Sequence, residues 1–202
     1  DTGLISTVGE WVLRKTCEAY MANQQYLPDD FLMAVNLSGR QFKGNLLVNF
    51  IRNLLEQTGM PAKNLELEIT ESLLMENTEQ AVQTLRELSL LGITLAIDDF
   101  GTGYSSLSYL KQFPLNVLKI DRTFVRDVTE DSDDAAIVNA ILAMSNSLAL
   151  EVVAEGVETA EQLAFLRKSQ CKRAQGFYFS KAIDLNDLMD YIKLTDQDER
   201  AV

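Results

Sequence analysis

The chain contains no histidine, and this absence excludes several kinds of catalytic site. A Ser-His-Asp triad, a Cys-His pair and a His-ligated zinc site all require an imidazole. Acid–base or metal chemistry in this chain must therefore use carboxylates, amides, lysine, tyrosine or cysteine.

Cysteine and basic residues are also scarce. The two cysteines, Cys17 and Cys171, lie far apart, form no disulfide framework and favour a reducing, cytoplasmic compartment, with any membrane anchor outside this chain. Eighteen Lys and Arg against 30 Asp and Glu leave a net charge of −12, which argues against a polymeric nucleic acid as partner. A small phosphate-bearing substrate stays compatible, because a bound divalent cation inverts the local field.

Short apolar runs alternate with longer segments of helical spacing. The runs are 31–35, 65–69, 94–97, 117–120, 151–154 and 174–179. The predicted helices are 6–24, 40–57, 78–91, 133–149, 159–168 and 185–194. We expect Gly92 to cap the third helix, Thr159 and Gln162 to form a capping box, and Trp11, Phe42, Phe50 and Met144 to lie in the core. Such alternation predicts a parallel sheet covered by helices.

Polar side chains follow the carboxyl ends of five of these runs: Asn36, Glu68 with Glu71, Asp98 with Asp99, Asp121, and Glu155 with Glu158. An open sheet binds ligands at one switch point, whereas a (β/α)8 barrel brings all strand ends together. We therefore predict a TIM-type α/β barrel. A full barrel takes about 250 residues, so about six of eight strands are expected here, with an N-terminally incomplete barrel over 1–194 and a polar tail over 195–202.

The strand-end oxygens predict a metal centre. Carboxylate and amide oxygens from Asn36, Glu68, Asp98, Asp99 and Glu155 suit Mg²⁺ or Mn²⁺ rather than zinc. Two adjacent carboxylates allow one to bridge two ions, and a two-metal site supports in-line phosphoryl displacement.

Lys119 is expected at the same rim, where it would orient or deprotonate an attacking water or contact a phosphate oxygen. A single acid after a strand is more often a helix cap or a turn residue, and we interpret Asp121 and Glu158 in that way. The Asp-Phe-Gly triplet at 99–101 has no other kinase signature beside it. Acids on five strands are harder to explain without a cation, because buried like charges repel.

Six segments, in order, resemble the EAL domain family. They are 36–38 (Asn-Leu-Ser), 68–72 (Glu-Ile-Thr-Glu-Ser), 98–107 (Asp-Asp-Phe-Gly-Thr-Gly-Tyr-Ser-Ser-Leu), 118–121 (Leu-Lys-Ile-Asp), 154–158 (Ala-Glu-Gly-Val-Glu) and 174–180 (Ala-Gln-Gly-Phe-Tyr-Phe-Ser). The resemblance implies a modified TIM barrel that hydrolyses cyclic di-GMP to linear pGpG in bacterial second-messenger signalling.

The resemblance also implies roles for single residues. Asn36, Glu68 and Asp98 would hold one metal ion, and Asp98, Asp99 and Glu155 the second. In this family such ions are Mg²⁺ or Mn²⁺.

Three further roles follow from the resemblance alone. Lys119 would lie beside the water that the metals bind, and Gln175 would line the substrate pocket. Glu71 would anchor the loop 100–106, through which the family forms a homodimer. Fused sensor or GGDEF domains would lie outside this chain.

The sequence departs from the family pattern in two places. The Glu-Ala-Leu motif, which carries a metal ligand, is absent and belongs on a strand before residue 1. Lys172 follows Cys171, where the family has an acid, and Lys181-Ala182 follows Ser180, where it has a basic residue and proline. We expect the 202 residues alone to be poorly stable and inactive unless another segment completes the barrel.

Two other functions stay open. One is a catalytically inert EAL-like module that binds cyclic di-GMP or a protein partner, although retention of all the ligand positions inside the chain favours the enzyme. The other is an unrelated metal-dependent barrel enzyme, such as an aldolase or enolase relative, against which the Asn36 and Glu68 motifs argue.

Overall fold

The computed structural model describes residues 4–42, 45–102 and 110–199. The strands are β1 (Met33–Leu37), β2 (Leu65–Thr70), β3 (Thr94–Phe100), β4 (Val117–Ile120), β5 (Glu151–Ala154) and β6 (Arg173–Ala174). The α-helices are α1 (Leu4–Asn23), α2 (Asn45–Thr58), α3 (Glu71–Glu76), α4 (Thr78–Leu90), α5 (Arg122–Arg126), α6 (Ser132–Ser147), α7 (Ala160–Lys168) and α8 (Leu185–Glu199). Short 3₁₀ turns cover Gln24–Tyr26 and Ala62–Asn64.

The six strands form one parallel sheet in chain order, β1-β2-β3-β4-β5-β6. The connections from β1 to β2, β2 to β3, β4 to β5 and β5 to β6 each contain helix, which is the repeated βα unit of a barrel. The predicted α/β architecture is therefore confirmed, with the six strands expected of this chain.

The two faces of the sheet bury different side chains. One face carries Leu67, Ile69, Leu95 and Ile97, which are fully buried in the large core shared with the helices. A separate small cluster, Ala96, Val117 and Val153, lies on the opposite face, which we call the inner face. Alternation along each strand then places residues two positions further on, at the carboxyl ends, on that inner face as well.

The predicted strands 117–120 and 151–154 match β4 and β5 in full. The prediction of a strand over 174–179 is wrong, because β6 stops at Ala174. Beyond it the backbone turns back: Val157 N donates to Gln175 O at 3.0 Å and Tyr178 N donates to Val157 O at 2.9 Å. Those carbonyls and amides are therefore used in a turn rather than in a ladder.

The helix predictions need four corrections. The helix predicted over 40–57 begins only at Asn45, and the last helix continues to Glu199, into the segment interpreted as a tail. The short helices α3 and α5 were not predicted. The capping box of Thr159 and Gln162 is confirmed.

The core prediction was right in part. Phe42, Phe50 and Met144 are half-buried against the core, but Trp11 is 59% exposed, so its assignment to the core was wrong. Its neighbours Leu4 and Val8 on the same side of α1 are exposed too. Within the described ranges, no helix combines the length and apolarity that crossing a membrane requires.

Candidate metal centre

The carboxyl ends of the strands bring the predicted site residues to the inner face. Asp98, Lys119 and Glu155 each lie two residues beyond a member of the small cluster of Ala96, Val117 and Val153. The parallel register pairs Asn36 with Glu68 on β1 and β2. The next pair of strands places Asp98 opposite Thr70. Side chains distant in sequence thus converge because parallel strands end at one rim.

Lys119 is the central cation of this group. Its Nζ lies 2.6 Å from Glu68 Oε1, 2.7 Å from Glu155 Oε1 and 3.4 Å from Asp98 Oδ1. The side chain of Lys119 is only 4% exposed. One buried ammonium therefore holds three carboxylates from three different strands.

This environment decides the protonation state of Lys119. Burial alone would lower the pKa of the ammonium, but hydrogen bonds to Glu155 and Glu68, together with their charges, outweigh burial and raise the pKa above its usual value. The arrangement favours a proton donor or orienting charge at this position over a base.

Asp98, Asp99 and Glu155 form a group that fits a divalent cation. One carboxylate oxygen from each lies within 4.8 Å of the other two. All donors are hard oxygens and none is sulfur or imidazole, which matches Mg²⁺ or Mn²⁺. Burial, together with the charges of Asp98 and Glu68, raises the pKa of Glu155 although Lys119 lowers it. A bound cation would offset this cost of burying the charge.

Asp99 has an unusual backbone. Its φ of 55° is in the left-handed region, and its amide N donates to Asp98 Oδ1 at 3.1 Å. Burial, the adjacent Asp98 and a hydrogen bond to Asp121 raise the pKa of the Asp99 carboxyl. The local turn thus forces acidic groups together where a cation could lie between them.

Asp121 has two roles in the structure, of which only one was predicted. It caps α5 by accepting a hydrogen bond from Thr123 N at 2.8 Å, as interpreted from the sequence. It also hydrogen-bonds Asp99. Burial alone would raise the pKa of Asp121, but its bonds to Thr123 dominate and lower it. Its position two residues after Lys119 was the available signal for this second contact.

Glu71 contacts the start of the predicted loop. It is 2% exposed and its Oε2 accepts a hydrogen bond from Gly101 N at 3.1 Å. Gly101 has a φ of 99°, which glycine adopts without strain. The remainder of the loop, 103–106, lies outside the described residues.

Asn36 and Gln175 lie at opposite edges of the sheet. Asn36 is exposed on β1, and Gln175 is exposed directly after β6. Gln175 is fixed by its backbone, since its N donates to Ala154 O at 2.8 Å.

Glu158, interpreted as a turn residue, is exposed, and its amide N donates to Gln162 Oε1 at 2.7 Å in the cap of α7. That interpretation is confirmed.

The sequence reasoning missed Glu66. It lies on β2 two residues before Glu68 and is only 3% exposed. Burial raises the pKa of its carboxyl, and among the described residues Oε2 has no hydrogen-bond partner. The signal was available, because Glu66 and Glu68 alternate with leucine and isoleucine in one strand and so share its inner face.

Comparison with known proteins identifies the family. The EAL domain profile matches residues 1–182. The cyclic di-GMP phosphodiesterase NbdA of Pseudomonas aeruginosa is 44% identical over 191 residues, which cover 95% of this chain and 24% of that protein. The chain therefore spans about a quarter of the length of this curated relative.

Solved structures agree with the sequence match. A MucR phosphodiesterase of P. aeruginosa in complex with c-di-GMP superposes with a TM-score of 0.89 at 44% identity, covering 93% of this chain and 76% of that one. Klebsiella pneumoniae BlrP1, in a manganese and cyclic di-GMP complex, gives 0.74 at 32% identity, covering 84% and 43%. With a family profile that matches most of its length, this chain belongs to the EAL domain family.

Proposed function

We propose that this chain forms the catalytic part of a phosphodiesterase that hydrolyses cyclic di-GMP to linear pGpG with two divalent cations, Mg²⁺ or Mn²⁺. The observation that carries the proposal is the convergence of Asp98, Asp99 and Glu155 within 4.8 Å. Relatives named as cyclic di-GMP phosphodiesterases and structural neighbours with that dinucleotide bound support the same substrate.

The donor sets divide between two ions. Asn36, Glu68 and Asp98 would hold one, while Asp98, Asp99 and Glu155 would hold the other. Once bound, the ions supply a Lewis acid and a source of nucleophilic oxygen at neutral pH. The chain's own residues hold these carboxylates in place: Glu68 through Lys119, Asp98 through Lys119 and the Asp99 amide, and Asp99 through Asp121.

Lys119 acts as a fixed positive charge. It lies beside Glu68, Asp98 and Glu155, where it would orient an attacking water or contact a phosphate oxygen. Negative charge grows on the phosphate oxygens in the transition state, and a preorganised cation stabilises that charge. Gln175, exposed at the rim, would contact the substrate.

We also propose that the protein acts as a homodimer joined through the segment after Asp99. Glu71 couples that segment to the site, because its carboxylate accepts a hydrogen bond from the amide of Gly101, two residues after Asp99. Fused GGDEF or sensor domains fit a chain that spans about a quarter of curated relatives, one of which is the bifunctional diguanylate cyclase and phosphodiesterase MucR. We expect the domain to work in the cytoplasm.

Turnover of cyclic di-GMP by the full-length protein tests the proposal. Wild type with Mn²⁺ or Mg²⁺ should release pGpG, while Asp98→Asn should lose at least about 100-fold in kcat, since Asp98 serves both ions. Asp133→Asn makes the same change on an exposed acid of α6 and should leave kcat unaltered. Binding of the dinucleotide without any pGpG would overturn the enzyme in favour of an inert binding module.

A further inference from the structure

The turn after β1 is closed by one side chain. Gln41 Oε1 accepts hydrogen bonds from both Ser38 N, at 3.1 Å, and Ser38 Oγ, at 2.7 Å. The backbone closes the same turn, because Gln41 N and Phe42 N both donate to Ser38 O, at 2.9 and 3.2 Å. Four hydrogen bonds therefore fix the chain immediately beyond β1.

Helix α1 is shaped to receive this glutamine. A Cβ at Gly9 would overlap with Nε2, Cδ and Oε1 of Gln41, so any larger residue at position 9 would displace the end of that side chain. Gly9 lies inside α1, where glycine is otherwise the least favourable ordinary residue. Glycine at position 9 therefore lowers the helix propensity of α1 but leaves room for the Gln41 side chain.

The buried end of Gln41 has a further cost. Within residues 4–42, 45–102 and 110–199, Nε2 is buried and has no acceptor. A buried amide without a partner destabilises the fold. The packing of Gln41 against α1 therefore rests on the two hydrogen bonds of Oε1 and on the contact with Gly9.

Asn36 is the candidate metal ligand nearest in sequence to this turn. It lies two residues before Ser38, near the end of β1, where Glu68 on β2 is its register partner. Its side chain is exposed. Residues two apart in an extended chain share one side, so the turn that Gln41 closes borders the end of the strand that carries Asn36.

We propose that Gln41, seated on Gly9, is a positioning residue for Asn36 and sets its affinity for a divalent cation. The inference rests on the proposed function, in which Asn36 is a metal ligand. Gln41 contacts neither metal nor substrate; it acts through the Ser38 turn. Supporting residues of this kind change metal affinity by about 10- to 100-fold when they are removed.

Manganese binding to the full-length protein, measured from the electron paramagnetic resonance signal of free Mn²⁺, tests the proposal. Gln41→Ala should weaken one of the two Mn²⁺ sites about tenfold. Gln41→Glu keeps an acceptor for Ser38 and should retain the wild-type affinity within about threefold. Thermal unfolding without metal, recorded for each variant, shows that the proteins are folded.

Gly9→Ala separates positioning from stability. An alanine in a helix ordinarily raises stability, as the neighbouring exposed change Thr7→Ala should do without altering Mn²⁺ binding. At position 9 alanine should displace Gln41 and weaken Mn²⁺ about as much as Gln41→Ala does. If Gly9→Ala and Gln41→Ala both bind Mn²⁺ like wild type, the proposal is overturned.

The double variant Asn36→Ala/Gln41→Ala distinguishes a failure of the positioning role of Gln41 from a failure of the proposed function. If Gln41 acts through Asn36, the double variant binds Mn²⁺ as weakly as Asn36→Ala alone. Additive losses would show that Gln41 acts elsewhere and would overturn the inference alone. An Asn36→Ala variant with unchanged Mn²⁺ affinity would remove Asn36 from the metal centre and overturn both.

Discussion

Glu66 and Glu68 lie two residues apart on β2, face the same side of the sheet and are both buried, yet their surroundings differ. Glu68 Oε1 is 2.6 Å from Lys119 Nζ, inside a group of acids held by one ammonium. Glu66 is one layer deeper, and among the described residues its Oε2 has no hydrogen-bond partner. One glutamate of the strand therefore forms an ion pair, while the other keeps a buried oxygen without a hydrogen bond and feels only the more distant charges of Arg173 and Lys119.

The difference shows how this fold tolerates charge. A buried carboxylate is retained either by a partner cation or by taking up a proton. Glu68 has the partner, and a divalent cation bound beside Lys119 would add a second positive charge there. Burial instead raises the pKa of Glu66, so this group is driven towards the neutral acid. Metal chemistry is expected only at the layer that keeps its charges, at the carboxyl ends of the strands.

Exchange of each glutamate for glutamine should give the largest contrast. Glu68→Gln removes a charged metal ligand. We expect the variant to lose several kcal/mol of transition-state stabilisation, which corresponds to a drop in kcat of about 1,000-fold. Glu66→Gln should change kcat by less than about threefold, because this side chain is not in the charged layer. Steady-state release of pGpG by the full-length protein, at saturating Mn²⁺, measures both.

Equal losses in the two variants would break the comparison, since they would place Glu66 in the same functional group as Glu68. Mn²⁺ titration of both variants sharpens the result. Only Glu68→Gln should weaken binding, and a Glu66→Gln protein with weakened Mn²⁺ binding contradicts the assignment of two layers.

Removal of the central cation should have the next largest effect. Lys119→Met leaves Glu68, Asp98 and Glu155 close together without their ammonium. Breaking a buried ion pair from one side typically costs about 3 kcal/mol or more. We expect the metal-free variant to lose about that much in its free energy of unfolding, measured with urea.

Manganese should then stabilise Lys119→Met more than it stabilises wild type, because the ion need not compete with an ammonium and binding to the folded state shifts the unfolding equilibrium. Lys119→Arg is the control, since it retains the charge. A methionine variant that unfolds like wild type without metal would show that the three contacts of Lys119 contribute no net stability.

Much of the fold could be predicted because its signals are local. Strands β4 and β5 are short apolar runs, and Thr159 with Gln162 caps α7 through contacts three residues apart. The prediction failed where distant partners decide. The chain leaves the sheet after Ala174 because Val157 bonds it, and Trp11 lies exposed although its spacing on α1 resembles that of a core residue.

The site divides in the same way. The convergence of Asp98 and Glu155 on Lys119 follows from the strand ends of any parallel barrel, so alternation was enough to predict it. Asp99 joins them through its left-handed backbone, which alternation does not predict. The hydrogen bond between Asp99 and Asp121 depends on a left-handed residue and on a register shift between β3 and β4. Spacing places Asp121 on the same side as Lys119 but shows neither the left-handed residue nor the register shift, and the cap role already explained why an acid stands at position 121.

The smallest expected effect is on stability and comes from Glu66. In the folded chain its pKa is raised, chiefly by burial, so the folded state binds a proton more tightly than the unfolded state does. The charged form of Glu66 therefore destabilises the fold above its folded pKa. Glu66→Gln removes that charge and should raise the free energy of unfolding by about 1 kcal/mol at pH 7.5.

The sign of the pH dependence tests the cause. Below the unfolded value of a glutamate, about 4.3, wild-type Glu66 is protonated in both states and the advantage of glutamine should disappear; it grows as the pH rises from that value to the raised pKa of the folded state. Glu130→Gln, at an exposed position, should show no such trend. Urea unfolding at about pH 7.5 and at about pH 3.5, below the unfolded value, compares the variants. An advantage of Glu66→Gln that is constant with pH would mean that packing, rather than the charge, distinguishes Glu66 from Glu68.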